Sequence, residues 1–366
     1  MKIVHVTPGF YPTVGGIQKY VEDLCLNLIR LGHQSDVITY ERHTITGEKL
    51  KKHEKYNGIN IYRIPSFGMR LYPMAPEVIK KIKGYDIIHI HGIGFFCDVL
   101  SLTKAFHGKR LIISTHGGIF HTNRFSLAKK LYFSIWCRLM MKNFDKIVAV
   151  SRNDEKLFSR ISKNVVFIPN GVEMETYSKI KRKPEKNMLL FIGRLSPNKR
   201  IDLLVELVYL LKEDAPGVKL YVAGSEWRNE QKKLDALVWK KNLEGSVIFT
   251  GEVSEKEKIS LLSRAEFFVS ASEYEGFGIS VIEAMAAGLP VIANDIDSFR
   301  NFIQNGENGF LADFSNPEMV KNLIMKIKDS DLLQISKNAR QEASKYDWKK
   351  ISERVDDIYE KCRRAL

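Results

Sequence analysis

The chain of 366 residues is too long for one ordinary hydrophobic core and fits two domains of roughly 150 to 200 residues each, with a cleft between them. Its content of 44% apolar and 27% charged residues excludes a disordered or fibrous protein. No apolar run approaches the roughly 18 residues that span a bilayer, the start turns polar too early for a signal peptide, and the four cysteines are scattered without a Cys-x-x-Cys pair. We therefore expect a soluble, cytoplasmic protein without a zinc ribbon or disulfide framework.

The positive charge lies mainly in the first half of the chain. The formal net charge is +14, and residues 1–180 hold 27 Lys and Arg against 14 Asp and Glu, whereas the remainder holds 30 against 29. Such a field favours an anionic partner. Nucleic acid, an anionic membrane and a phosphorylated substrate all remain open at this point.

Short β-rich runs alternate with helical patterns, which is typical of parallel sheets covered by helices on both faces. In the first half, strands are predicted at Lys2–Thr7, Gln34–Tyr40, Ile59–Ile64, Asp86–Gly92, Arg110–His116, Lys146–Ser151 and Val165–Pro169. The first clear helix is predicted over Ile17–Leu31, because apolar residues recur there at helical spacing and Gly32 follows.

A second series of strands begins after Glu173–Asn187, a Lys-rich segment that we interpret as an exposed hinge. These strands are predicted at Met188–Ile192, Lys219–Ala223, Val247–Thr250, Phe267–Ala271, Val291–Ala293 and Gly309–Ala312. The amphipathic segment Trp348–Arg364 is expected to form a helix that crosses back onto the first domain. The predicted fold class is α/β with two doubly wound Rossmann-like domains, residues 1–178 with 348–366 and residues 179–347.

Ligands of open parallel sheets bind outside the carboxyl ends of the strands. Gly15 and Gly16 follow the first strand and precede the first helix, where glycine allows backbone N–H groups to approach a phosphate. A turn that needs positive φ explains the pair equally well. A dinucleotide-binding motif does not fit, because G-x-G-x-x-G is absent and Asp36 opens its strand instead of ending it.

Arg194 and Lys199 follow the strand Met188–Ile192, with Lys199 near the start of a helix predicted over 199–212. Two cations that converge on a helix N-terminus could clamp a diphosphate and stabilise its charge as it leaves. The alternative is a pair of solvated cations.

Two glutamates follow the strand Phe267–Ala271. Glu275 lies in a glycine-containing loop, and Glu283 lies about one turn into a helix that begins near Gly278. Glu283 could accept hydrogen bonds from ribose hydroxyls, although a carboxylate at a helix start is often only a complement to the helix dipole.

Over nearly its full length the chain resembles the retaining family 4 glycosyltransferases, which have the two-domain GT-B architecture with two Rossmann-like domains facing across a cleft. The matching pieces are Gly15-Gly16, Thr115-His116-Gly117, Pro169-Asn170-Gly171-Val172, Gly193-Arg194-Leu195 with Lys199, and Glu275 and Glu283 around Glu-Gly-Phe-Gly. Each piece is weak alone, but their order and spacing are specific.

The resemblance implies a role for each matching residue. Arg194 and Lys199 would bind the donor diphosphate, Glu283 the ribose, and Gly15 and Gly16 the phosphate from the first domain. The donor sugar would be held by Glu275 and the amides of Phe277, Gly278 and Ile279, and Val253 would lie near the base. His116 would be the active-site histidine, and His116, Glu275, Arg194 and Lys199 the catalytic residues.

The resemblance also implies the reaction. A double displacement needs a carboxylate nucleophile at the anomeric carbon, but Glu275 is assigned to sugar hydroxyls. We therefore expect retention by front-face attack through an oxocarbenium-like state, in which the diphosphate takes the acceptor proton. An Arg194→Ala variant with near-normal turnover would contradict this mechanism.

No cofactor and no metal are predicted. Asp295-Ile296-Asp297 matches the Asp-x-Asp motif of metal-dependent transferases of another fold, but Arg194 and Lys199 already supply positive charge for the diphosphate. His89 and His91 alternate along one strand, and we interpret them as core or cleft-lining residues.

The acceptor is expected to be a glycan or a lipid-linked molecule at the inner face of the membrane. Residues 120–144 interleave aromatic and basic side chains, and residues 42–55 add a second basic stretch. A basic helix with aromatic residues can lie on an anionic membrane. Packing of the helix on its own domain, with a solvated basic edge, is the alternative.

Other functions would account for part of this pattern. A nucleotide-sugar epimerase or a phosphorylase of the same fold would carry similar motifs. A nucleic-acid-binding protein would explain the charge, but no recognition module accompanies the basic residues, so no nucleic-acid partner is predicted. The sequence leaves the base, the sugar and the acceptor open.

Overall fold

The structure is a computed structural model that describes residues 1–13, 15–44, 46–69, 72–117 and 132–364. The chain forms two compact units, Met1–Gly171 with Trp348–Leu366, and Val172–Asp347. The sequence placed the division after residue 178 and interpreted 173–187 as an exposed hinge. The first half of that segment is anchored by Met174, Tyr177 and Ile180, which are buried in the core of the second unit, so it is not exposed throughout.

The strands of the described residues fall into two groups. Those of the first unit are β1 (Lys2–Val6), β2 (Gln34–Tyr40), β3 (His53–Tyr56), β4 (Ile59–Ile64), β5 (Phe67–Met69), β6 (Tyr72–Met74), β7 (Ile87–His91), β8 (Arg110–Ser114), β9 (Lys146–Ala149) and β10 (Val165–Phe167). Those of the second unit are β11 (Met188–Ile192), β12 (Lys219–Ala223), β13 (Val247–Gly251), β14 (Phe267–Ser270), β15 (Val291–Asn294) and β16 (Phe310–Ala312). All the strands predicted from the sequence are present, and their ends differ from the predicted ones by at most two residues.

Helices connect these strands. The first unit contains Gly16–Arg30, Val78–Lys81, Phe95–Leu102, Lys104–His107, the π-helical turn Tyr132–Cys137, Arg138–Met141, Arg152–Phe158 and Trp348–Arg364. The second contains Met174–Tyr177, Ile201–Asp214, Glu230–Lys240, Glu255–Arg264, Ile279–Ala286, Asp297–Arg300, Pro317–Ile327, Leu333–Ala343 and the 3₁₀ turns Pro197–Lys199 and Ser344–Tyr346. Among the described residues, no helix combines the length and apolarity needed to cross a bilayer.

Each unit is built on one large sheet. The first has the order β10-β9-β8-β7-β1-β2-β4-β3, in which β3 alone is antiparallel to its neighbour. The second has the order β13-β12-β11-β14-β15-β16 and is parallel throughout. Counted from β11, this is the 3-2-1-4-5-6 order of dinucleotide-binding sheets. The winding reverses between β1 and β7 in the first unit and between β11 and β14 in the second.

Both faces of the second sheet are buried. Met188 and Leu190 of β11 point into one core cluster, and Leu189 and Phe191 point into the other. A parallel sheet covered by helices on both faces needs such continuous apolar strands. The alternating direction of successive side chains explains why the apolar runs predicted these strands well.

The final helix, Trp348–Arg364, packs on the first unit as the sequence predicted. Its Ile351, Val355 and Tyr359 share a core cluster with residues of the helix Gly16–Arg30. Trp348 at its start is buried against Gly171, where an added Cβ atom would lie 2.3 Å from the indole ring.

We expect Gly171→Ala to destabilise the protein by about 1–3 kcal/mol, because the new methyl group would overlap a fully buried indole. Thermal and urea unfolding would measure the change. Gly245→Ala is the matched control, since a Cβ there meets no atom within 4 Å. Equal stability of the two variants would contradict the packing described here.

Candidate functional site

The point in the second sheet where the winding reverses brings together two loops that are distant in sequence. β11 pairs with β14 in parallel, so the loops after Ile192 and Ser270 leave the same edge of the sheet. Ligands of doubly wound sheets bind in the crevice at such a point. The sequence placed Arg194, Lys199 and Glu275 on these two loops.

The two loops are hydrogen-bonded to each other. The backbone N–H of Glu273 donates to the carbonyl of Asn198 at 2.9 Å, and the Asn198 side chain donates to the carbonyl of Tyr274 at 3.1 Å. Arg200 forms an ion pair with Glu273. These bonds fix the loops as one rigid edge.

Lys199 and Glu275 are brought into direct contact. The Lys199 ammonium donates to Oε1 of Glu275, which also accepts from the Ser272 hydroxyl at 3.1 Å. Both side chains of the ion pair are largely buried, at 16% and 15% exposure. Lys199 ends the 3₁₀ turn Pro197–Lys199, and the following helix begins at Ile201, so the predicted helix start at 199 is wrong by two residues.

Arg194 is exposed and stacks on an aromatic ring that the sequence did not single out. Its guanidinium lies 4.9 Å from the centre of the Trp227 ring. The contact depends on a close backbone approach, because the carbonyl of Gly193 lies 2.0 Å from where a Cβ of Gly224 would stand. Only glycine at 224 lets the loops after β11 and β12 run side by side and place Trp227 against Arg194.

Glu283, on the helix Ile279–Ala286, is held by two residues that the sequence did not identify. Its Oε1 accepts from the Lys258 ammonium at 3.0 Å and from the Tyr177 hydroxyl at 3.0 Å. Glu255 shares both partners. Burial opposes the charge of Lys258, but Glu283 and Glu255 together raise the pKa of its ammonium above the ordinary value.

The residues assigned to the donor sugar and base surround the start of the same helix. The Phe277 ring is buried against Phe302 and Tyr346, and Val253 and Ile279 pack on the same core cluster. Gly278 has a φ of +96°, and a Cβ there would lie 2.7 Å from the Phe299 ring. The first N–H groups of a helix have no partner within the helix, so those of this loop can face a ligand.

In the first unit, Gly15 and Gly16 precede the helix Gly16–Arg30. Gly15 is extended, with φ and ψ both at 171°, and Gly16 is not among the positive-φ glycines. The turn that needs positive φ, which the sequence left open, is therefore not the explanation. A Cβ on Gly16 would meet no atom within 4 Å, so that side of the backbone is open.

His116 follows β8 in the left-handed backbone region, with a φ of +48°. Its loop is held by Asp154, whose carboxylate accepts from the Thr115 hydroxyl at 2.5 Å and from the Gly117 N–H at 2.8 Å. Uncommon backbone conformations that the surroundings enforce cluster at functional sites. Asp154 itself was missed because nothing local in the sequence links it to residue 116.

His116 adjoins three buried histidines, His5, His89 and His91. Nε2 of His116 lies 3.1 Å from Nδ1 of His91, and Nε2 of His91 lies 2.9 Å from Nδ1 of His5. Burial lowers the pKa of His5 and His116 to about 3, and burial together with the neighbouring imidazoles lowers those of His89 and His91 well below the ordinary value. All four rings are therefore neutral at pH 7.

Two other carboxylate motifs are tied up in structural bonds. Asp295 and Asp297 of the Asp-x-Asp match both pair with Arg300. Asp36 accepts from Gln34, Asn60 and Tyr85. Within the described residues, the one group with ligand-like spacing is His5, His89 and His91, whose ligand atoms lie within 4.8 Å of one another.

The aromatic and basic segment 120–144 is described only from residue 132 onward, and its residues 120–131 lie outside the described part. From Tyr132 to Met141 it is helical, with Phe133, Cys137 and Met140 buried. Ile135, Trp136 and Leu139 are exposed. The segment therefore packs on its own unit through one face and presents a second face of mixed apolar and basic side chains.

Family patterns cover most of the chain. The pattern described as Glycosyl transferases group 1 matches residues 173–356, and that described as Glycosyltransferase Family 4 matches residues 14–176. The two matches confirm the resemblance found in the sequence.

Relatives match over the full length. The chain is 34% identical to a GDP-mannose:cellobiosyl-diphosphopolyprenol alpha-mannosyltransferase of Xanthomonas oryzae, covering 98% of this chain and 96% of that protein. It is 27% identical to a phosphatidyl-myo-inositol mannosyltransferase of Mycolicibacterium smegmatis, covering 98% and 94%.

Solved structures share the fold. Sucrose-phosphate synthase from Thermosynechococcus elongatus superposes with a TM-score of 0.82 at 20% identity, covering all of both chains. Anabaena HepE in complex with UDP and glucose superposes with a TM-score of 0.77 at 18% identity, covering 98% of each chain. These likenesses confirm the predicted GT-B class.

Acid should unfold the protein steeply. Unfolded histidines bind protons below about pH 6.5, whereas the four histidines of the cluster resist protonation, so the free energy of unfolding falls as the pH drops below 6.5. Each contributes about 1.4 kcal/mol per pH unit, and for His5 and His116 the loss ends near pH 3. Urea titrations at pH 7.5, 6.5 and 5.5 would measure this slope.

His5→Gln should reduce the slope by about one proton, because it removes a histidine that stays neutral in the folded protein. A free energy of unfolding that does not change over this range would contradict the neutral state of the cluster.

Proposed function

The chain belongs to the group 1, family 4 glycosyltransferases, and within that family we propose that it transfers mannose from GDP-mannose to a lipid-linked saccharide with retention of configuration. The observation that carries the proposal is the meeting of Lys199 and Glu275 at the point where the second sheet reverses its winding. A nucleotide-sugar site needs a cation for the diphosphate and a carboxylate for the sugar hydroxyls, and this pair supplies both.

The choice of donor and acceptor rests on the relatives. Three mannosyltransferases, from Xanthomonas oryzae, Xanthomonas campestris and Komagataeibacter xylinus, are 32–34% identical to this chain over 98% of it. All three are named for GDP-mannose and for a diphosphopolyprenol-linked acceptor. The mannose of GDP-mannose is α-linked, so the α product in those names corresponds to retention.

In this proposal the donor is bound by residues of the second unit. Arg194 and Lys199 neutralise the diphosphate, and the ring of Trp227 limits the directions in which Arg194 can point. Tyr177 and Lys258 bond Oε1 of Glu283, which leaves Oε2 to accept from the ribose. Glu275 and the amides of residues 277–279 hold the sugar, and Val253 contacts the base.

For the first unit taken by itself, the proposal assigns phosphate binding to Gly15 and Gly16 and binding of the sugar or acceptor to His116. In the reaction the bond from C1 of mannose to the diphosphate oxygen breaks, and the bond from C1 to the acceptor oxygen forms on the same face. The acceptor hydroxyl proton passes to the leaving diphosphate. In this proposal Glu275, whose Oε1 accepts from Lys199 and Ser272, binds sugar hydroxyls and does not serve as a nucleophile.

Positive side chains, not a metal, stabilise the departing charge in this proposal. Arg194 and Lys199 act as preorganised cations, and stabilisation of this kind is worth several kcal/mol in a water-excluded site. No cofactor takes part.

For the acceptor side, we propose that the protein contacts the membrane surface peripherally. Ile135, Trp136 and Leu139 are exposed on the segment whose Arg138 and Lys142 line a groove of about 430 Å³ together with Arg160 and Lys163. Apolar and aromatic side chains beside cations suit the interface of an anionic bilayer. Such contact would bring the enzyme to acceptors anchored in the inner leaflet.

The proposal predicts transfer of mannose to a synthetic polyprenyl-diphosphate disaccharide, with GDP-mannose preferred over UDP- and ADP-sugars. Mass spectrometry would detect the product, and NMR of its anomeric proton would show an α linkage. Arg194→Ala should lower kcat by about 10²–10³-fold. Arg228→Ala is the matched control, because this exposed arginine contacts the same Trp227 ring without following β11.

Preference for a UDP-sugar, a β product, or normal turnover of Arg194→Ala would each overturn the corresponding part of the proposal. Consumption of donor without acceptor would indicate an epimerase instead.

The membrane contact predicts binding to vesicles that contain anionic phospholipid at low salt, and release at high salt. Trp136→Ser should weaken co-sedimentation several-fold, since it removes apolar area from the exposed face. Trp239→Ser, at a tryptophan exposed on a helix of the second unit, is the matched control. Absence of wild-type binding to anionic vesicles would exclude the contact.

A further inference from the structure

Three histidines form a continuous hydrogen-bonded row that ends at the proposed active-site histidine. We call His5, His91 and His116 the histidine row. Nδ1 of His5 lies 2.9 Å from Nε2 of His91, and Nδ1 of His91 lies 3.1 Å from Nε2 of His116. The row crosses the first sheet from β1 through β7 to the second residue after β8, and it begins where the winding of that sheet reverses.

The row allows only two arrangements of protons. A neutral imidazole carries one N–H and one bare nitrogen, so a bond between two neutral rings needs a donor at one end and an acceptor at the other. His91 uses both nitrogens within the row, so it donates at one and accepts at the other. The direction of the first bond therefore fixes the direction of the second.

The buried end of the row selects between these arrangements. Nε2 of His5 is buried and has no hydrogen-bond partner. If His116 donated toward His91, and His91 toward His5, the proton of His5 would be forced onto this nitrogen as a buried N–H without an acceptor. Orphaned buried N–H groups are rarer than unpaired acceptors. The favoured arrangement has His5 donating to His91 and His91 donating to His116.

In this arrangement Nε2 of His116 accepts and its proton sits on Nδ1. No described residue bonds Nδ1. His116 is only partly buried, and the centre of its ring lies 4.8 Å from the centre of the Tyr20 ring. The free N–H is therefore the group that His116 can offer to a ligand. Its bare nitrogen is occupied by His91.

We propose that His5 and His91 are positioning residues that fix His116 as a neutral hydrogen-bond donor through Nδ1, so that His116 binds an oxygen of the sugar or acceptor and does not take the acceptor proton. The inference rests on the proposed function for the role of His116, but the proton arrangement itself does not. Because the row ends at a buried nitrogen, it has no exit through which a proton could leave. The histidine row fixes the tautomer of His116 and does not conduct protons.

His89 provides a matched control within the same cluster. It is equally buried and also bonds through both nitrogens, but its partners are the Tyr359 hydroxyl at 2.5 Å and the Ser114 hydroxyl at 2.8 Å. These bonds leave His89 outside the row. A metal held by His5, His89 and His91 would have to displace these bonds and the bond between His5 and His91.

The direct test is the tautomer of each histidine in the full chain. Protein labelled with ¹⁵N-histidine, examined at pH 7.5 by multiple-bond ¹H–¹⁵N correlation and assigned with single His→Gln variants, should show His5, His91 and His116 protonated on Nδ1. A proton on Nε2 of His116, an imidazolium at His116, or stoichiometric zinc in the purified protein would overturn the inference.

The variants separate positioning from general stability. His91→Phe should leave His116 as a mixture of tautomers and lower kcat for mannose transfer by roughly tenfold, with the KM for donor within about twofold. His89→Phe should lose comparable stability but keep both the tautomer and kcat. His91→Asn should restore the His116 tautomer and kcat, because the Asn amide N–H can donate to His116 in place of Nδ1–H of His91.

If His91→Phe does not fold, His5→Phe tests the same point, since it frees His91 to reverse. Retention of the Nδ1–H tautomer and of kcat in these variants would refute the positioning role. Should the tautomers be as expected while His116→Ala transfers mannose at the wild-type rate, the role proposed for His116 fails and the row stands.

Discussion

The parallel pairing of β11 with β14 is the constraint on which the candidate donor site depends. It joins strand ends that belong to distant parts of the sequence, and the loops that leave them are then held by the Glu273–Asn198 and Lys199–Glu275 contacts. The close passage at Gly193 and Gly224 adds the loop after β12 and, with it, Trp227. A change in strand order would scatter all of these groups, whatever their identity.

The sequence predicted the large features because they depend on local patterns. Continuous apolar runs marked the strands buried on both faces. The strands β3, β5 and β6 were not predicted from the sequence. β3 has the sequence His-Glu-Lys-Tyr, without an apolar run, and the other two are three-residue segments without a buried face. Arg194, Lys199, Glu275 and Glu283 could be proposed as site residues because ligands of parallel sheets bind near residues that follow the strands.

The partners of those residues could not be predicted in the same way. Tyr177 reaches Glu283 across 106 positions, from a segment whose lysines suggested an exposed hinge. The period of two predicted that His89 and His91 share a face, and both do lie in the buried cluster. Their different bonds depend on His5, Ser114 and Tyr359, which come from three other elements. Burial and pairing of this kind appear only when the whole fold is present.

The helix Trp348–Arg364 has a consequence for how the protein is made. It covers the helix Gly16–Arg30 and supplies Tyr359 to His89, so the first unit needs residues from near the end of the sequence. On the ribosome, the second unit is fully synthesised before that helix emerges. Until then the apolar face formed by Tyr20, Val21 and Leu24 stays open to water. The first unit is therefore the last to finish folding, although most of its residues are translated first. Its uncovered helix Gly16–Arg30 is accessible to chaperones throughout that time.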